Sequence, residues 1–510
     1  MLKRLAINSA SNLTRLLVGM VITFLMAPFY LEMMGHHDYG LREMVVALIG
    51  YMGMIDLGMR PTMSRFSARH NAQDDRQTLN VVYACSLVFM VMVGLLIAVF
   101  FWSWAALYPH ILVQAEHSDE YKYVLFLLVV GIQVLLAFPR FVTESFLEGL
   151  QFYYLKNAIE IAGAISLAIV SYTLMTPQNA LVMLTVITVI ISAIKLLLFA
   201  TFLMVPRFGG LYPNVRQFEW PKLKEMLEFG VKSFIQGAAR TIEKMSDRLV
   251  IGGILGPSSV PVYTIPFTLV DYINNITMTL THAFMPFFSD LDARGRRAEI
   301  RKVYLSASKM VVGLAVPMGV GISIVGAPFI DVWMKGQFDP ETVNSIIILL
   351  VLYVLTPRLN PFASRFLTAI NKHGIFAKVA PIAALTNLGL SVWAVMELGV
   401  IGAALGSVLP VFVITPIYLR YACYYLEVSM GRYLTRCVLP ILIPTILMAS
   451  LVLWLRLDWG LTDYPRILLA IVAGGSLYAC AFWVLALSQD ERSWLVSRLL
   501  RRSAHGRLGN

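Results

Sequence analysis

The sequence predicts an all-α polytopic membrane protein with about 14 transmembrane helices, arranged as two six-helix lobes followed by two further helices. Three observations predict it. The 510 residues are 58% hydrophobic and only 14% charged, whereas a soluble domain is about 25% charged. Windows of roughly 20 apolar residues, the length that crosses a bilayer, recur about fourteen times. Short motifs also return after about 220 residues, as they do in transporters built from internal repeats.

In chain order the windows fall at 8–33, 39–62, 81–107, 123–147, 154–175, 180–205, 227–255, 262–288, 303–325, 343–370, 375–396, 401–424, 434–455 and 467–487. The first follows Met1, Leu2, Lys3 and Arg4. It is too long for the apolar core of a cleaved leader and reads as an uncleaved span. The four cysteines, Cys85, Cys423, Cys437 and Cys480, lie in apolar segments, which argues against a disulfide framework. The net charge of +11 matters through its placement. Even-numbered connections and both termini carry most of the Lys and Arg, including Arg65, Arg69, Arg207, Lys222, Arg294, Arg296, Arg297 and Arg432. Odd-numbered connections carry chiefly Lys335 and Arg456. This asymmetry, more than about fourfold, places both termini in the cytoplasm.

The repeat is read from matched positions. Phe138, Pro139 and Arg140 correspond to Thr356, Pro357 and Arg358, and the run Phe146 to Gln151 corresponds to Phe366 to Asn371. Gly35 and Tyr39 correspond to Gly256 and Tyr263. Six spans preserve orientation, so the halves are expected to be related by an axis along the membrane normal. The expected organisation is an N-terminal six-helix lobe over 1–206, a cytoplasmic linker over 207–226, and a C-terminal six-helix lobe over 227–425. Two extra helices follow over 426–489, then a basic cytoplasmic tail over 490–510. Trp494, Leu495, Leu499 and Leu500 give that tail an apolar stripe suited to a membrane surface.

The seventh window is the unusual one. It carries Lys232, Arg240, Glu243, Lys244, Asp247 and Arg248. At about 100° per residue, those side chains and Gln236 fall within an arc of roughly 160°. Ionisable groups at membrane depth normally face a bundle interior or a wet cavity.

Gly35, Tyr39 and Gly40, then Tyr51, then Asp56, Leu57, Gly58, Met59 and Arg60, then Arg65, Phe66, Ser67 and Ala68, together resemble the start of bacterial polysaccharide transport proteins. These are the Wzx-type O-antigen and exopolysaccharide flippases of the multidrug/oligosaccharidyl-lipid/polysaccharide (MOP) exporter superfamily, and two six-helix halves plus two helices fit that family too. The resemblance implies translocation of an undecaprenyl-(di)phosphate-linked glycan across the bacterial inner membrane by alternating access, for O-antigen, capsule or exopolysaccharide synthesis. It implies membrane lipids as surroundings, glycosyltransferases and a polymerase of the same pathway as partners, and no nucleic acid. The chain is expected to act as a monomer.

The residues make a physical case beside the resemblance. Arg15, Arg140, Lys195, Arg240, Lys244, Arg358 and Arg365 are the candidate lining of a cationic cavity, with Arg248 and Lys378 at similar depth. A lipid diphosphate carries several acceptor oxygens, which guanidinium groups match bidentately. Fewer acids lie at that depth, and Glu243, Asp247 and Asp271 are the candidates for ion coupling. Local pairing competes at three places. Asp56 and Arg60 are four apart, Arg140, Glu144 and Glu148 form a ladder, and Lys156 and Glu160 are again four apart.

Other patterns carry little chemistry. Asp290, Leu291 and Asp292 have the Asp-x-Asp form of metal-dependent glycosyltransferases but sit in a short connection. His36 and His37 lack spaced partner ligands. A phosphate-binding Gly-rich loop with Lys-Ser/Thr is absent from the sequence. Neither a metal, a cofactor nor an enzymatic activity is therefore expected. Two rival readings stand beside the flippase: a cation-coupled multidrug exporter of the same superfamily, and a membrane glycosyltransferase or polysaccharide polymerase.

Overall fold

The computed structural model describes residues 2–111, 117–282, 284–372 and 374–493, without the side chains of 2–6, 9, 108–111, 117–120, 232, 233, 235, 236, 240, 282, 286 and 377. The side chains of Lys232, Gln236 and Arg240, and the expected amphipathic stripe of the tail, lie outside the described residues. By its internal contacts the chain divides into two units, Met1–Val260 and Pro261–Asn510.

The first unit holds α1 (Leu2–Met52), α2 (Met59–Ala72), α3 (Arg76–Ile111), α4 (His117–Gly149), α5 (Tyr153–Leu174), α6 (Ala180–Met204) and α7 (Trp220–Leu255). The expected linker, 207–226, lies within this unit, and so does α7. α1 contains the first two expected spans, hinged at Gly35, whose φ of 69° and ψ of 172° break the helical path. The second span ends sooner than its apolar window suggests. After a 3₁₀ turn at Gly53–Asp56, Leu57 and Gly58 take left-handed φ values of 51° and 75°, and α2 begins. Gly58 is required there, because a Cβ would lie 2.4 Å from the Gly230 carbonyl oxygen of α7. α3 and α4 pack most extensively. Small residues allow their approach: Gly94 lies against Phe138 and Gly131 against Trp102.

The second unit holds α8 (Val260–His282), α9 (Phe284–Ala293), α10 (Arg297–Trp333), α11 (Pro340–Arg358), α12 (Ala363–Ala369), α13 (Gly374–Leu398) and α14 (Val400–Leu426). α15 (Met430–Cys437), α16 (Leu439–Trp454) and α17 (Tyr464–Ala481) complete it. The tenth expected span breaks between α11 and α12, where Asn360 and Pro361 follow Pro357; each proline removes a backbone donor. An aromatic core of Phe288, Tyr304, Phe362, Phe366 and Tyr433 fills the space around that break. The two appended helices pack against α10 through Val325, Met448, Val452, Leu455 and Ile467.

Eleven helices among the described residues are long and apolar enough to cross a membrane, and the stretch 10–56 counts as one of them although it contains two expected spans. α7, with its charges, and α8, with Asp271, Asn274 and Asn275, are the polar spans outside those eleven. All fourteen expected crossings are thus helical. Cys85, Cys423, Cys437 and Cys480 are free thiols.

Candidate functional site

α5 begins just after the turn that closes α4, so its first two turns lie beside the last three turns of α4. At a rise of 1.5 Å per residue, Glu160 sits about 10 Å inside α5. Its two carboxylate oxygens are divided between two helices. Oε1 accepts from Arg140 Nη1 on α4 at 3.3 Å, and Oε2 accepts from Lys195 Nζ on α6 at 2.9 Å. The same Arg140 Nη1 lies 2.9 Å from Glu144 Oε1. Gly163, one turn beyond Glu160, makes the reach possible, since a Cβ there would lie 2.2 Å from Lys195 Cε.

The expected local pairs meet different fates. Lys156 does not pair with Glu160, four residues on in its own helix; it bonds Glu148 of α4 instead. The lysine-before-glutamate order is the weaker helical arrangement, and Arg140 and Lys195 already hold Glu160. Asp56 and Arg60 do pair, at 3.2 Å, though through a turn and not a continuous helix. Asp56 Oδ1 accepts from the Gly58 N–H at 2.9 Å and Oδ2 faces Arg60. The Arg60 and Arg140 guanidinium groups lie 3.5 and 5.4 Å from the centroid of the same Phe141 ring.

The group is balanced in charge: Arg60, Arg140, Lys156 and Lys195 stand against Asp56, Glu144, Glu148 and Glu160. Burying a charge is tolerated when it is paired and hydrogen-bonded. Side-chain exposure of 17% at Arg140, 14% at Glu144, 21% at Glu160 and 14% at Lys195 leaves each partly accessible. Arg140 and Lys195, two of the candidates for a cationic lining, are thus each paired with carboxylates. Lys195 finds on α5 the carboxylate that its own helix lacks.

The remaining candidates of the first unit lie on α1 and α7. Arg15 is exposed on α1 and has no ion pair among the described residues. One turn before it, Ser11 and Asn12 accept from Asn157 Nδ2 of α5 at 2.9 and 2.7 Å. The polar face of α7 meets the second arm of α1. There Arg248 Nη1 lies 3.1 Å from Glu43 Oε2, and the Tyr51 hydroxyl donates to the Ile242 carbonyl at 3.4 Å. Asp247 is buried, Glu243 and Lys244 are half-buried, and all three interact with neighbouring groups.

In the second unit, Arg358 at the end of α11 donates through Nη2 to Asn274 Oδ1 of α8. Asn274 Nδ2 in turn donates to Asp271 Oδ1 at 3.0 Å, and Asn275 Nδ2 donates to Asp271 Oδ2 at 3.2 Å. Asn274 thus links an acid to a base. Arg365 on α12 is half-buried and also engaged, and Lys378 on α13 is exposed.

A family model described as "Polysaccharide biosynthesis protein" matches residues 33–342. No curated protein matches the sequence. Among solved structures, an inward-facing multidrug resistance MATE family transporter of the MOP superfamily aligns with a TM-score of 0.66 at 16% identity, over 81% of this chain and 98% of that one. An inward closed conformation of the lipid II flippase MurJ aligns with a TM-score of 0.66 at 15% identity, over 93% of this chain and 97% of that one. A MOP superfamily transporter from Pyrococcus furiosus, described by the reversed polarity of its binding pocket, gives a TM-score of 0.60 at 14% identity, over 83% and 96%. At these identities the likeness is one of fold.

Proposed function

The chain belongs to the polysaccharide biosynthesis protein family, and from that premise we propose that it is a flippase for a polyprenyl-phosphate-linked oligosaccharide. The family match over residues 33–342 carries this reading, and a multi-pass fold like that of MATE transporters and of the lipid II flippase MurJ supports it. In this reading both termini are cytoplasmic, the membrane is the bacterial inner membrane, and the repeats 1–206 and 227–425 are the two lobes that rock. The chain works as a monomer beside the glycosyltransferases and polymerase of its pathway and catalyses no covalent step.

The phosphorylated head group is held by bases while the polyprenyl chain stays in lipid. Arg15, exposed on α1, and Arg358, which Asn274 links to Asp271, are the first contacts in this proposal. Arg240, Lys244 and Arg365 join them on sequence grounds, as do Arg140 and Lys195 when they are released from their carboxylates. With the cell interior negative, outward movement of an anion is favoured by about 2.3 kcal/mol per charge per 100 mV. Glu243, Asp247 and Asp271 are the acids proposed for coupling to a cation.

The test is a deletion strain. Loss of the chain is expected to leave lipid-linked oligosaccharide accumulating on the inner leaflet with little surface glycan, and plasmid-borne wild-type chain restores export. Normal surface glycan in the deletion strain contradicts the reading.

A further inference from the structure

Glu160 holds two of the bases that the first unit offers to a diphosphate, Arg140 and Lys195. Its Oε1 holds Arg140 at 3.3 Å and its Oε2 holds Lys195 at 2.9 Å. A phosphate oxygen and this carboxylate oxygen are acceptors of the same geometry for the same donors. The two compete for Lys195 Nζ and Arg140 Nη1, because two anions brought to one pair of bases repel each other. We propose that Glu160 is a proton-dependent competitor for the substrate head group. Ionised, it closes the site by holding Arg140 and Lys195; protonated, it releases them to the phosphate, so that binding of the head group takes up a proton.

This inference rests on the flippase reading and adds a device to it. The balance is explicit. A hydronium ion gives one proton to a Glu160 oxygen: one hydronium O–H bond breaks, one carboxyl O–H bond forms, and a water molecule is left. Among the immediate neighbours, Arg140, Lys156 and Lys195 then face only Glu144 and Glu148 as ionised partners, so the group gains one positive charge as an anion arrives. The surroundings suit such a switch. On α4 the facing groups are Arg140, Glu144 and Glu148; on α5, Lys156 one turn away; on α6, Lys195. Arg60 of α2, paired with Asp56 of the preceding turn, lies over the same Phe141 ring as Arg140, and α1, which carries Arg15, packs against α5. None of the four central side chains is sealed, at 14 to 21% exposure. In this proposal protons and a phosphate group reach them through that exposed surface, while enough burial remains to make an unpaired charge unfavourable.

Gly163 is the second observation. A side chain at that position would collide with Lys195 Cε, so the absence of a Cβ leaves room for the path that Lys195 takes across α5 onto Glu160.

The experiment uses the full-length chain in nanodiscs with geranylgeranyl diphosphate as the probe, and measures affinity between pH 6 and 8. Ligand titration is common to all variants, so the comparison isolates the protein. Wild type is expected to bind about tenfold more tightly per unit fall in pH than can be ascribed to the ligand, as one proton uptake requires. Glu160→Gln is expected to lose that extra slope and to bind at pH 8 at least as tightly as wild type does at pH 6. Lys195→Met, used in parallel should Glu160→Gln fail to fold, is expected to lose both the extra slope and the tight binding at low pH. Equal affinities and equal slopes in wild type and Glu160→Gln, or a Lys195→Met variant that keeps wild-type slope and affinity, overturn the competition and leave the flippase reading standing. Failure of wild type and all variants to bind the probe at any pH overturns both.

Discussion

Gln151 and Asn371 occupy the same left-handed turn, with φ values of 65° and 57°, at matching positions of the two repeats. In each, the residue's own N–H bonds the carbonyl three back, Glu148 or Thr368, and the next N–H bonds the carbonyl five back, Leu147 or Leu367. A non-glycine residue pays roughly 1–2 kcal/mol to sit there. Gln151→Gly is therefore expected to stabilise the chain by about 1 kcal/mol, and Gln151→Val to destabilise it by a similar amount. Thermal unfolding in detergent checks both.

Gly58 and Gly230 meet backbone to backbone. A Cβ on Gly58 would lie 2.4 Å from the Gly230 carbonyl oxygen, and one on Gly230 would lie 2.6 Å from that of Leu57. Backbone cannot swing aside as a side chain can. Gly58→Ala, which also forces alanine into a φ of 75°, is expected to cost about 2 kcal/mol or more. Gly237→Ala, on the same helix with nothing within 4 Å, is expected to be neutral or stabilising by up to about 1 kcal/mol. Comparing the two thermal midpoints tests the contact.

The ion pair between Glu160 and Lys195 depends on Gly163, so Gly163→Ala should displace the lysine. A double-mutant cycle of Glu160→Gln with Lys195→Met is expected to give a coupling of about 1 kcal/mol in a Gly163 background. In the Gly163→Ala background the coupling should fall towards zero. A coupling unchanged by Gly163→Ala removes the steric role of that glycine.

His70 lies in α2, outside the membrane-crossing stretches, and is buried. Burial and then the positive charge of Lys222 push its pKa below the ordinary 6.5. Asp75, with an oxygen 3.6 Å from Nδ1, is beyond hydrogen-bond length. A histidine held neutral in the folded chain protonates more readily when unfolded. The unfolded state is therefore favoured as pH falls below about 6.5, and that loss levels off once the pH is below the folded pKa. Stability is expected to decline from pH 7 to pH 5, and His70→Phe is expected to flatten the decline. An identical pH dependence in the variant sinks this assignment.

Much of this architecture is legible in the sequence because bilayer length and residue spacing dictate it. The spans follow from apolar length. The repeat follows from Gly35 and Gly256, both left-handed at φ 69° and 87°, and from the turns at Gln151 and Asn371. What was not legible is partner choice across helices. Spacing suggests Lys156 with Glu160, whereas three-dimensional packing gives Glu160 to Arg140 and Lys195, and Lys156 to Glu148. The early end of the second span is likewise tertiary, set by the approach of α7 to Gly58. The one local sign of the network is Gly163 one turn from an acid in an apolar helix. A glycine in an apolar helix has too many other uses for that sign to be read alone.

The most direct measurement of the central claim is transbilayer movement itself. The purified chain is reconstituted into proteoliposomes containing a fluorescent polyprenyl-diphosphate-linked oligosaccharide, and the fraction reached by an impermeant quencher is followed in time. The account predicts that wild type moves the lipid at a rate well above protein-free vesicles and that Arg358→Ala slows it at least tenfold with the protein still folded. Equal rates in protein-loaded and protein-free vesicles would contradict it.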